Sequence, residues 1–275
     1  ADFLTKRITE RAVEFIDKHQ DEPFLLYIPH PLPHAPLHVS PDFMKGVHDT
    51  IKNALDREDG YIDYQTRRAL FPQAISEIDW SVGQVLKALK EHQLDRNTLV
   101  IFTTDNGAAI GSSAPLRGKK GSTYEGGMRV PAIAWWPGKI PAGSVCKELM
   151  TSMDILPTLT LLAGGEVPGD RIIDGKNIWP LLSGQKGATS PHEVFYYYRE
   201  NTLKAVRKGK WKLHRFENDR YELYDLESDI SEQNNLANDF PDISGELEGY
   251  MKEFEREMED PSMTRPHGVV SFAHH

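Results

Sequence analysis

The fold class follows from one segment, Asn97-Thr98-Leu99-Val100-Ile101-Phe102-Thr103-Thr104-Asp105-Asn106-Gly107. Its apolar part is too short for a helix and does not alternate, which is typical of a strand buried on both faces. Before it, apolar residues recur at helical spacing from Arg68 to His92. The same order occurs earlier, where a helical pattern capped by Thr5 precedes the apolar run Phe24 to Ile28. This repetition predicts an α/β fold with a mostly parallel or mixed sheet flanked by helices.

Further elements extend this α/β pattern to about residue 190. Ala132 to Trp136 is a short apolar run before a Pro-Gly turn, which predicts a third buried strand. Met153 to Leu162 has the length and apolar spacing of another helix. We therefore expect residues 1–190 to be part of a single α/β domain.

The pattern changes after about residue 190. Short strand-like runs are separated by Lys-Gly or Asn-Asp turn signals, which predicts an antiparallel sheet. The runs are Val194 to Tyr198, Leu203 to Val206, Trp211 to Phe216 and Tyr221 to Leu226. An acidic helical pattern follows from Ile243 to Met258. Residues 191–275 are therefore expected to form a small antiparallel subdomain with a helix.

Composition and charge restrict the partners of this chain. It has 275 residues, of which 39% are hydrophobic, and a net charge of −9. Such a charge argues against nucleic acid as a partner, because that affinity depends on clustered Lys and Arg. No apolar run approaches the roughly 18 residues that a membrane span requires, and the first residues carry no signal-peptide pattern. An anionic substrate would need a local basic pocket.

The loop after the first predicted strand carries a candidate catalytic histidine. His34 lies in Pro33-His34-Ala35-Pro36-Leu37, where the flanking prolines keep the backbone out of a helix and orient the imidazole. A rigid imidazole can contact an anionic oxygen or supply a proton to a leaving group. The alternative is a loop histidine whose ring bonds a backbone carbonyl.

A candidate metal site follows the strand of the opening segment. Asp105 and Asn106 offer a carboxylate and an amide oxygen, which suit a hard divalent cation such as calcium. Two oxygens are fewer than the six to eight that calcium takes. The alternative is a type I′ hairpin turn at Asn106-Gly107.

A third candidate is the glycine-rich, basic segment Leu116 to Pro131. It reads Leu116-Arg117-Gly118-Lys119-Lys120-Gly121-Ser122-Thr123-Tyr124-Glu125-Gly126-Gly127-Met128-Arg129-Val130-Pro131. Glycines allow the backbone to approach a ligand closely, and the cations can neutralise a tetrahedral oxyanion. The spacing is not that of a phosphate-binding P-loop. The alternative is a flexible basic surface loop.

Taken together and in this order, these segments resemble the type I, formylglycine-dependent sulfatases of the alkaline-phosphatase superfamily. The segment from Lys120 to Pro131 is similar to the second signature region of that family, and Thr103 to Gly107 to its metal-binding turn. Pro33 to Leu37 resembles its substrate-histidine loop, and Met153 to Leu159 and Tyr224 to Leu226 fit its later course. The resemblance covers nearly the whole chain, as the C-terminal half to two-thirds of such an enzyme.

The resemblance implies a sulfuric ester hydrolase of the arylsulfatase type. It implies that Asp105 and Asn106 bind a divalent cation, usually calcium, and that Asp105 assists the nucleophile. It assigns to Lys120 a contact with the sulfate oxygens, and to His34 a contact with the sulfate or its bridging oxygen. These roles agree with the need to offset charge on the transferring sulfuryl group.

The chain departs from the family at its nucleophile. Sulfatases make formylglycine from the first residue of a Cys/Ser-x-Pro/Ala-x-Arg motif near their N-terminus, and the part of this chain before His34 matches neither that motif nor the paired aspartates that complete the metal site. Cys146 lies in a different context and is interpreted as structural. We expect another segment to carry the nucleophile and remaining ligands, the isolated chain to be inactive, and exposed apolar edges to promote association with itself or with that segment.

Other interpretations remain open from the sequence. The alternatives are a non-catalytic remnant or interaction module with a sulfatase-like fold, and a phosphoester hydrolase of the same superfamily. The substrate could be an aryl or a carbohydrate sulfate. The resemblance favours a periplasmic or secreted location. Tyr196 to Tyr198 and Arg199 are interpreted as strand residues packed by aromatics, and His214 as a residue of the antiparallel subdomain.

Overall fold

The computed structural model describes residues 3–55 and 62–259. The chain divides into two compact units, one of Ala1–Val100 with Trp135–Gly138 and the other of Ile101–Ala134 with Lys139–His275. Within the described ranges, every helix is too short or too polar to cross a membrane. The predicted division at residue 190 stays a prediction.

The first unit is built on three helices, α1 Leu4–Lys18, α2 Asp49–Leu55 and α3 Tyr64–Glu91. Helix α3 begins where Asp63 accepts hydrogen bonds from the backbone N–H groups of two residues in the first turn. The predicted cap of α1 was wrong: Thr5 lies inside the helix, and Phe3 stands at the N-cap without a side-chain bond. Thr5 is buried, so its hydroxyl is not at the helix end.

The core of this unit lies between α1 and α3. Ile16 of α1 packs with Ala88 and Leu89 of α3, and Phe24 and Leu26 cover the cluster. The spacing of these positions is the helical periodicity that the sequence analysis used. The two predicted helices are therefore confirmed, with the boundaries shifted by a few residues.

The predicted strand from Phe24 to Ile28 is not a strand in the structure. The segment has no regular secondary structure and no hydrogen-bonded strand partner among the described residues. Leu25 is 75% exposed and Tyr27 82% exposed, whereas Phe24 and Leu26 face the helical core. One face is therefore covered and the other open, so the expectation of burial on both faces was wrong.

Strands β1 Val100–Thr103 and β2 Ala132–Trp135 form a two-stranded sheet. The predicted strand from Asn97 to Thr103 begins later than expected, because Asn97 belongs to a short 3-10 turn, Asp95–Asn97. Phe102 is 38% exposed and Ile133 62% exposed, so burial on both faces was wrong here as well. The parallel orientation predicted for this sheet stays a prediction.

The segment after β2 is organised around one buried carboxylate. Helix α5 Ile155–Leu162 follows a 3-10 turn that contains Asp154, and α6 Trp179–Leu182 comes later. Asp154 accepts bonds from the backbone N–H of Thr151 and of Lys176, each 2.7 Å long. It also accepts one from the Nε2–H of His192, at 2.7 Å. Because three bonds converge on it, this carboxylate ties three parts of the chain together.

The C-terminal part is a four-stranded antiparallel sheet with one long helix. Its strands hydrogen-bond in chain order and are antiparallel, as the short runs separated by turn signals predicted, and the helix lies against the second strand of the sheet. The elements are β3 Val194–Arg199, β4 Thr202–Lys208, β5 Trp211–Arg215, β6 Tyr221–Asp225 and α7 Pro241–Glu259. The α/β class and the antiparallel subdomain are thus confirmed.

The two faces of this sheet differ in chemistry. Leu213 of β5 packs with Leu223 of β6 and, on α7, with Leu247 and Met251. Neighbouring residues of a strand point to opposite faces, so Lys212 and His214 face away from α7. All of these side chains are buried, including the two basic ones. The second face of the sheet therefore requires polar partners from elsewhere in the chain.

Candidate active site

The predicted site residues of the second unit are organised by a four-residue helix, α4 Glu125–Met128. The backbone N–H of Gly107 donates to the carbonyl oxygen of Gly127 at 2.9 Å. A Cβ on Gly107 would lie 1.9 Å from the carbonyl oxygen of Gly126, so any side chain there would collide. The turn that carries Asp105 and Asn106 therefore rests directly on the backbone of α4.

The loop that carries Lys120 rests on the same helix. The N–H of Gly126 donates to the carbonyl oxygen of Arg117 at 2.7 Å. A Cβ on Gly127 would lie 2.2 Å from the carbonyl oxygen of Ser122 and 2.6 Å from that of Lys119. The glycine pair of the segment is therefore required by close approach of two backbones.

These contacts bring Asp105, Asn106 and Lys120 into one region. The N–H of Lys120 donates to the carbonyl oxygen of Ala108 at 3.2 Å, which joins the basic loop to the turn after β1. The alternative of a two-residue hairpin at Asn106 is wrong, because β1 pairs with the distant strand β2. The turn instead exposes the side chain of Asp105, whose Oδ1 accepts a 3.3 Å bond from the hydroxyl of Thr104.

The cations of the glycine-rich segment divide into two groups. Arg117 donates to the hydroxyl of Tyr224 at 3.0 Å and to the carbonyl oxygen of Glu232 at 2.7 Å. Arg129 is paired with Glu125 at 2.7 Å. Lys119 and Lys120 are exposed, and neither forms an ion pair with a described residue. The segment thus presents two ammonium groups for an anion, not four cations.

The donor set for a metal ion is partial. Asp105 and Asn106 supply the oxygen chemistry that a hard divalent cation prefers. Within residues 3–55 and 62–259 there is no group of three or more His, Cys, Asp and Glu side chains that could hold a metal ion. The two residues therefore fit part of a calcium site and not the whole of it.

His34 belongs to the first unit and is exposed. Its Nδ1–H donates to the carbonyl oxygen of Ala35 at 2.8 Å, which is the ring-to-carbonyl bond that the sequence analysis gave as the alternative to a catalytic role. This bond selects the tautomer whose Nε2 carries a lone pair. The loop ends at Ser40, whose N–H and hydroxyl donate to the buried carboxylate of Glu77 at 2.8 and 2.5 Å. The histidine is therefore oriented without its Nε2 being used.

A buried charged cluster beneath α4 was missed by the sequence analysis. The ammonium of Lys212 lies 2.8 Å from Glu125 and 3.2 Å from Glu232, and all three side chains are almost completely buried. Burial opposes ionisation of Glu125, but Lys212 and Arg129 outweigh it and lower its pKa to about 2. The sequence signal that could have revealed the cluster was Lys212 next to Leu213 in β5. Neighbouring residues of a strand point to opposite faces, so Lys212 lies on the face opposite the apolar core.

His214 also belongs to this cluster. Its Nε2–H donates to Glu232 at 2.8 Å, and the hydroxyl of Thr123 donates to its Nδ1 at 3.4 Å. Burial lowers the pKa of His214, although the bond to Glu232 opposes this. The neutral imidazole therefore links the antiparallel subdomain, where it was predicted, to the glycine-rich segment.

Two minor interpretations can be compared with the structure. Tyr196 stacks on Phe254 of α7, with ring centroids 3.9 Å apart, and Tyr197 is buried, in agreement with packing by aromatics. Tyr198 also lies against Phe254. Cys146 is a free, exposed cysteine, so its interpretation as a structural residue was wrong. An exposed thiol fills no part of a core.

Comparisons with known protein families identify the family to which the chain belongs. The family model described as Sulfatase matches residues 2–165. A second, described as N-sulphoglucosamine sulphohydrolase, C-terminal, matches residues 119–259. The chain belongs to the sulfatase family.

Particular relatives extend this result. The chain is 38% identical over 220 residues to N-acetylgalactosamine-6-sulfatase of Canis lupus familiaris, covering 77% of this chain and 38% of the relative. It is 37% identical over 217 residues to human (Homo sapiens) steryl-sulfatase, covering 75% of this chain and 34% of the relative. It therefore spans well under half the length of these curated relatives.

Solved structures show the same similarity. The crystal structure of Ps i-CgsB in complex with k-i-k-neocarrahexaose superposes with a TM-score of 0.76 at 28% identity, covering 92% of this chain and 55% of that one. The PsFucS1 sulfatase from Pseudoalteromonas sp. gives 0.75 at 26% identity, covering 93% and 53%. The described fold is thus that of part of the sulfatase architecture.

Proposed function

We propose that this protein hydrolyses sulfate esters, at a site to which this chain contributes Lys120, Asp105 and Asn106; the family resemblance adds His34 to the residues of the reaction. The observation that carries the proposal is the convergence of the Lys120 loop and the Asp105 turn on the backbone of α4. A sulfuryl group is a tetrahedral anion, so an exposed ammonium beside carboxylate and amide oxygens suits its binding together with a divalent cation.

Each residue has a separate role in this proposal. Lys120 donates hydrogen bonds to non-bridging sulfate oxygens and offsets their charge. Asp105 and Asn106 are two of the ligands of a divalent cation, proposed to be calcium, which when bound supplies positive charge beside the ester. The ring of His34, oriented by the bond from its Nδ1–H to Ala35, places Nε2 against the bridging oxygen. In the imidazolium form, which keeps this bond, Nε2 donates its proton to the leaving oxygen as the S–O bond breaks.

The nucleophile is proposed to be a formylglycine that lies outside this sequence. In the family the motif lies near the N-terminus, whereas the one match to Cys/Ser-x-Pro/Ala-x-Arg in this sequence, Ser113 to Arg117, directly precedes the Lys120 loop. There the hydroxyl of Ser113 donates to the carbonyl oxygen of Gly126 at 2.9 Å, and Arg117 is bonded to Tyr224 and Glu232. The chain also spans only 38% and 34% of two sulfatase relatives. The remaining metal ligands are proposed to come from the same outside segment. The substrate class is an aryl or carbohydrate sulfate, and the proposed location is periplasmic or extracellular, as the family resemblance favours.

The test is an assay of the purified chain with a chromogenic aryl sulfate and calcium, alone and after mixing with a formylglycine-bearing N-terminal sulfatase fragment. We expect hydrolysis only in the mixture. A mixture prepared with a fragment whose formylglycine precursor is replaced by alanine is the matched control. Hydrolysis by the chain alone would contradict the assignment of the nucleophile to an outside segment.

The same assay separates the alternative of a non-catalytic module. A folded chain that binds the fragment without any turnover, with the fragment's formylglycine verified by mass spectrometry, would favour the non-catalytic interpretation. Parallel measurement with a chromogenic phosphate ester tests the phosphoester alternative. A rate higher with phosphate than with sulfate would contradict the proposed substrate class.

A further inference from the structure

The C-terminal sheet reaches the glycine-rich segment through one fully buried lysine. Lys212 of β5 is 0% exposed, and its ammonium contacts Glu125 Oε1 at 2.8 Å and Glu232 Oε1 at 3.2 Å. The ammonium also lies 4.5 Å from the ring centroid of Tyr197. A buried ammonium is stable only with close anionic partners, so the three charged groups hold one another in place.

The side chain of Glu232 also binds the backbone of helix α4. Its second carboxylate oxygen accepts a 2.6 Å bond from the N–H of Glu125, the first residue of α4. Glu232 itself has a φ of 51°, a left-handed conformation that is costly for a residue with a side chain. A strained backbone at a fully buried carboxylate indicates that the surrounding contacts determine its position.

The charges of the cluster balance. Glu125 and Glu232 carry two negative charges, and Lys212 and Arg129 carry two positive ones. His214 faces Glu232 and Thr123 and is neutral in this arrangement. Removal of the lysine would leave a buried carboxylate without its counter-charge.

Helix α4 cannot hold its own position. It has four residues, fewer than a stable isolated helix requires, and two of them are glycines. Yet its backbone receives the N–H of Gly107 and supports the loop of residues 117–122. The positions of both loops therefore depend on whatever fixes Glu125.

We infer that Lys212 is a positioning residue for the sulfate site: by fixing Glu125 and Glu232, it holds α4 and thereby the loop that presents Lys120. Lys212 does not contact the substrate in this inference. The functional part rests on the proposed role of Lys120, whereas the structural part, control of the loop by Lys212, does not.

The test measures amide hydrogen exchange in the full chain and in Lys212→Met, which keeps the side-chain length and removes the charge. The reporters are the N–H groups of Gly107, Lys120, Ser122 and Gly126, each bonded to a backbone carbonyl. We expect their exchange to accelerate at least tenfold with little dependence on low urea concentrations, which identifies local opening. Unchanged exchange at all four amides would overturn the inference.

Two control variants separate positioning from general loss of stability. Asp154→Asn breaks a buried pair with His192 that does not touch α4, so it should leave the four reporters within about twofold. Lys212→Arg should restore most of the protection, because it returns the positive charge. Equal acceleration in Asp154→Asn, or no rescue by arginine, would overturn the inference.

A second variant covers the case in which Lys212→Met does not fold. The double variant Lys212→Met with Glu232→Gln removes one charge of each sign and is expected to fold with the same release of the loop. A folded double variant with full protection would overturn the inference.

Inorganic sulfate then separates this inference from the proposed function. In the unmodified chain, sulfate should slow exchange near Lys120, and Lys120→Ala should abolish that effect. Loop release in Lys212→Met without any sulfate effect supports control of the loop by Lys212 and counts against the role of Lys120. A sulfate effect in the unmodified chain without loop release in Lys212→Met supports the role of Lys120 and overturns control of the loop by Lys212.

Discussion

At the scale of single residues, Lys120 differs from the two arginines of its segment in what it does not contact, and from the equally exposed Lys119 in the bond of its backbone N–H to Ala108. Arg117 and Arg129 are held by interactions within the protein, whereas Lys120 is exposed and has no ion pair among the described residues. Its backbone is nevertheless fixed by the bond to Ala108. A fixed backbone with an available ammonium is the arrangement expected of an anion-binding group.

Lys120→Ala should lower turnover of a sulfate ester by about 100-fold or more in an active, complemented preparation, since a charge that stabilises the transition state is lost. The thermal unfolding midpoint should change little because the side chain is exposed. Steady-state kinetics and circular dichroism measure the two effects. Lys119→Ala is the matched control and should remain near the unmodified rate. Unchanged turnover in Lys120→Ala would remove it from the site.

The ionisation of Glu125 makes the free energy of unfolding depend on pH in the acid range. Despite burial, Lys212 and Arg129 lower the pKa of Glu125 from 4.5 to about 2. Because the folded pKa lies below the unfolded one, its contribution is complete above about pH 4.5 and is lost as the pH falls toward 2. The shift corresponds to a contribution on the order of 3 kcal/mol to the free energy of unfolding.

Glu125→Gln should therefore reduce the slope of unfolding free energy against pH between about pH 4.5 and 2. Urea denaturation at a series of pH values measures this slope in the chain and in the variant. Glu148→Gln is the control, since that exposed carboxylate lies outside the cluster. A slope identical to that of the unmodified chain would show that Glu125 does not titrate as described.

At the scale of elements, the short helix α4 is the support on which two loops meet, and glycine makes the meeting possible. Gly107 has no room for a side chain, whereas Gly83 of α3 has nothing within 4 Å of a Cβ. The same substitution should therefore have opposite effects at the two positions.

Gly107→Ala should destabilise the chain by more than about 1 kcal/mol, because the added methyl meets the backbone of α4. Gly83→Ala should stabilise it by about 0.5–1 kcal/mol, since alanine is the better helix former. Chemical denaturation of both variants measures the difference. A stabilising effect of Gly107→Ala would contradict the close contact of the turn with α4.

Segment 24–28 is covered by the protein on one side only. Its inward side chains cover the core of α1 and α3, but Leu25 and Tyr27 remain outside. Exposed apolar side chains on unpaired extended chain favour association with another strand. We propose that this edge contributes to self-association or to binding of the outside sulfatase segment.

The double variant Leu25→Lys with Tyr27→Lys should weaken self-association, because charges oppose edge pairing. Sedimentation velocity across a concentration series measures the change. Val145→Lys, at a residue that is 83% exposed elsewhere in the chain, is the control. If the control weakens association as much as the double variant does, the edge is not the responsible surface.

At the scale of the whole molecule, the chain matches only part of the length of the sulfatases compared with it. Its proposed metal site likewise contains only some of the ligands that a metal ion requires. The structural neighbour Ps i-CgsB is covered over 55% of its chain. Of the predicted ligands, the described residues contain Asp105 and Asn106 without a third partner group. Calcium takes six to eight oxygens, so two proposed ligands are too few to hold it tightly by themselves.

Calcium should therefore leave the unfolding midpoint of the isolated chain nearly unchanged and raise it after complementation with the formylglycine-bearing fragment. Differential scanning fluorimetry with calcium and with chelator measures both cases. Asp105→Asn should abolish the calcium effect in the complemented preparation. A calcium effect that survives this substitution would rule out Asp105 as a ligand.

Several elements were predictable because their signals are local. The helical spacing before His92 predicted α3, and the short runs separated by turn signals after residue 190 predicted the antiparallel sheet. The burial of Phe102 and Ile133 was overestimated, because apolar composition does not reveal whether a second layer covers a strand. For the same reason the segment 24–28 was predicted as a strand, although pairing requires a partner.

The sequence by itself determined the α/β class, the family resemblance and the candidate residues Asp105, Asn106 and Lys120, because periodicity and glycine-rich motifs act over neighbouring residues. Only the tertiary structure decided that Gly107 and the Lys120 loop rest on α4, and that Lys212 pairs with Glu125 across 87 positions of sequence. Buried charges find their partners through the packing of distant elements, and a strand's alternation indicates only which face each charge occupies.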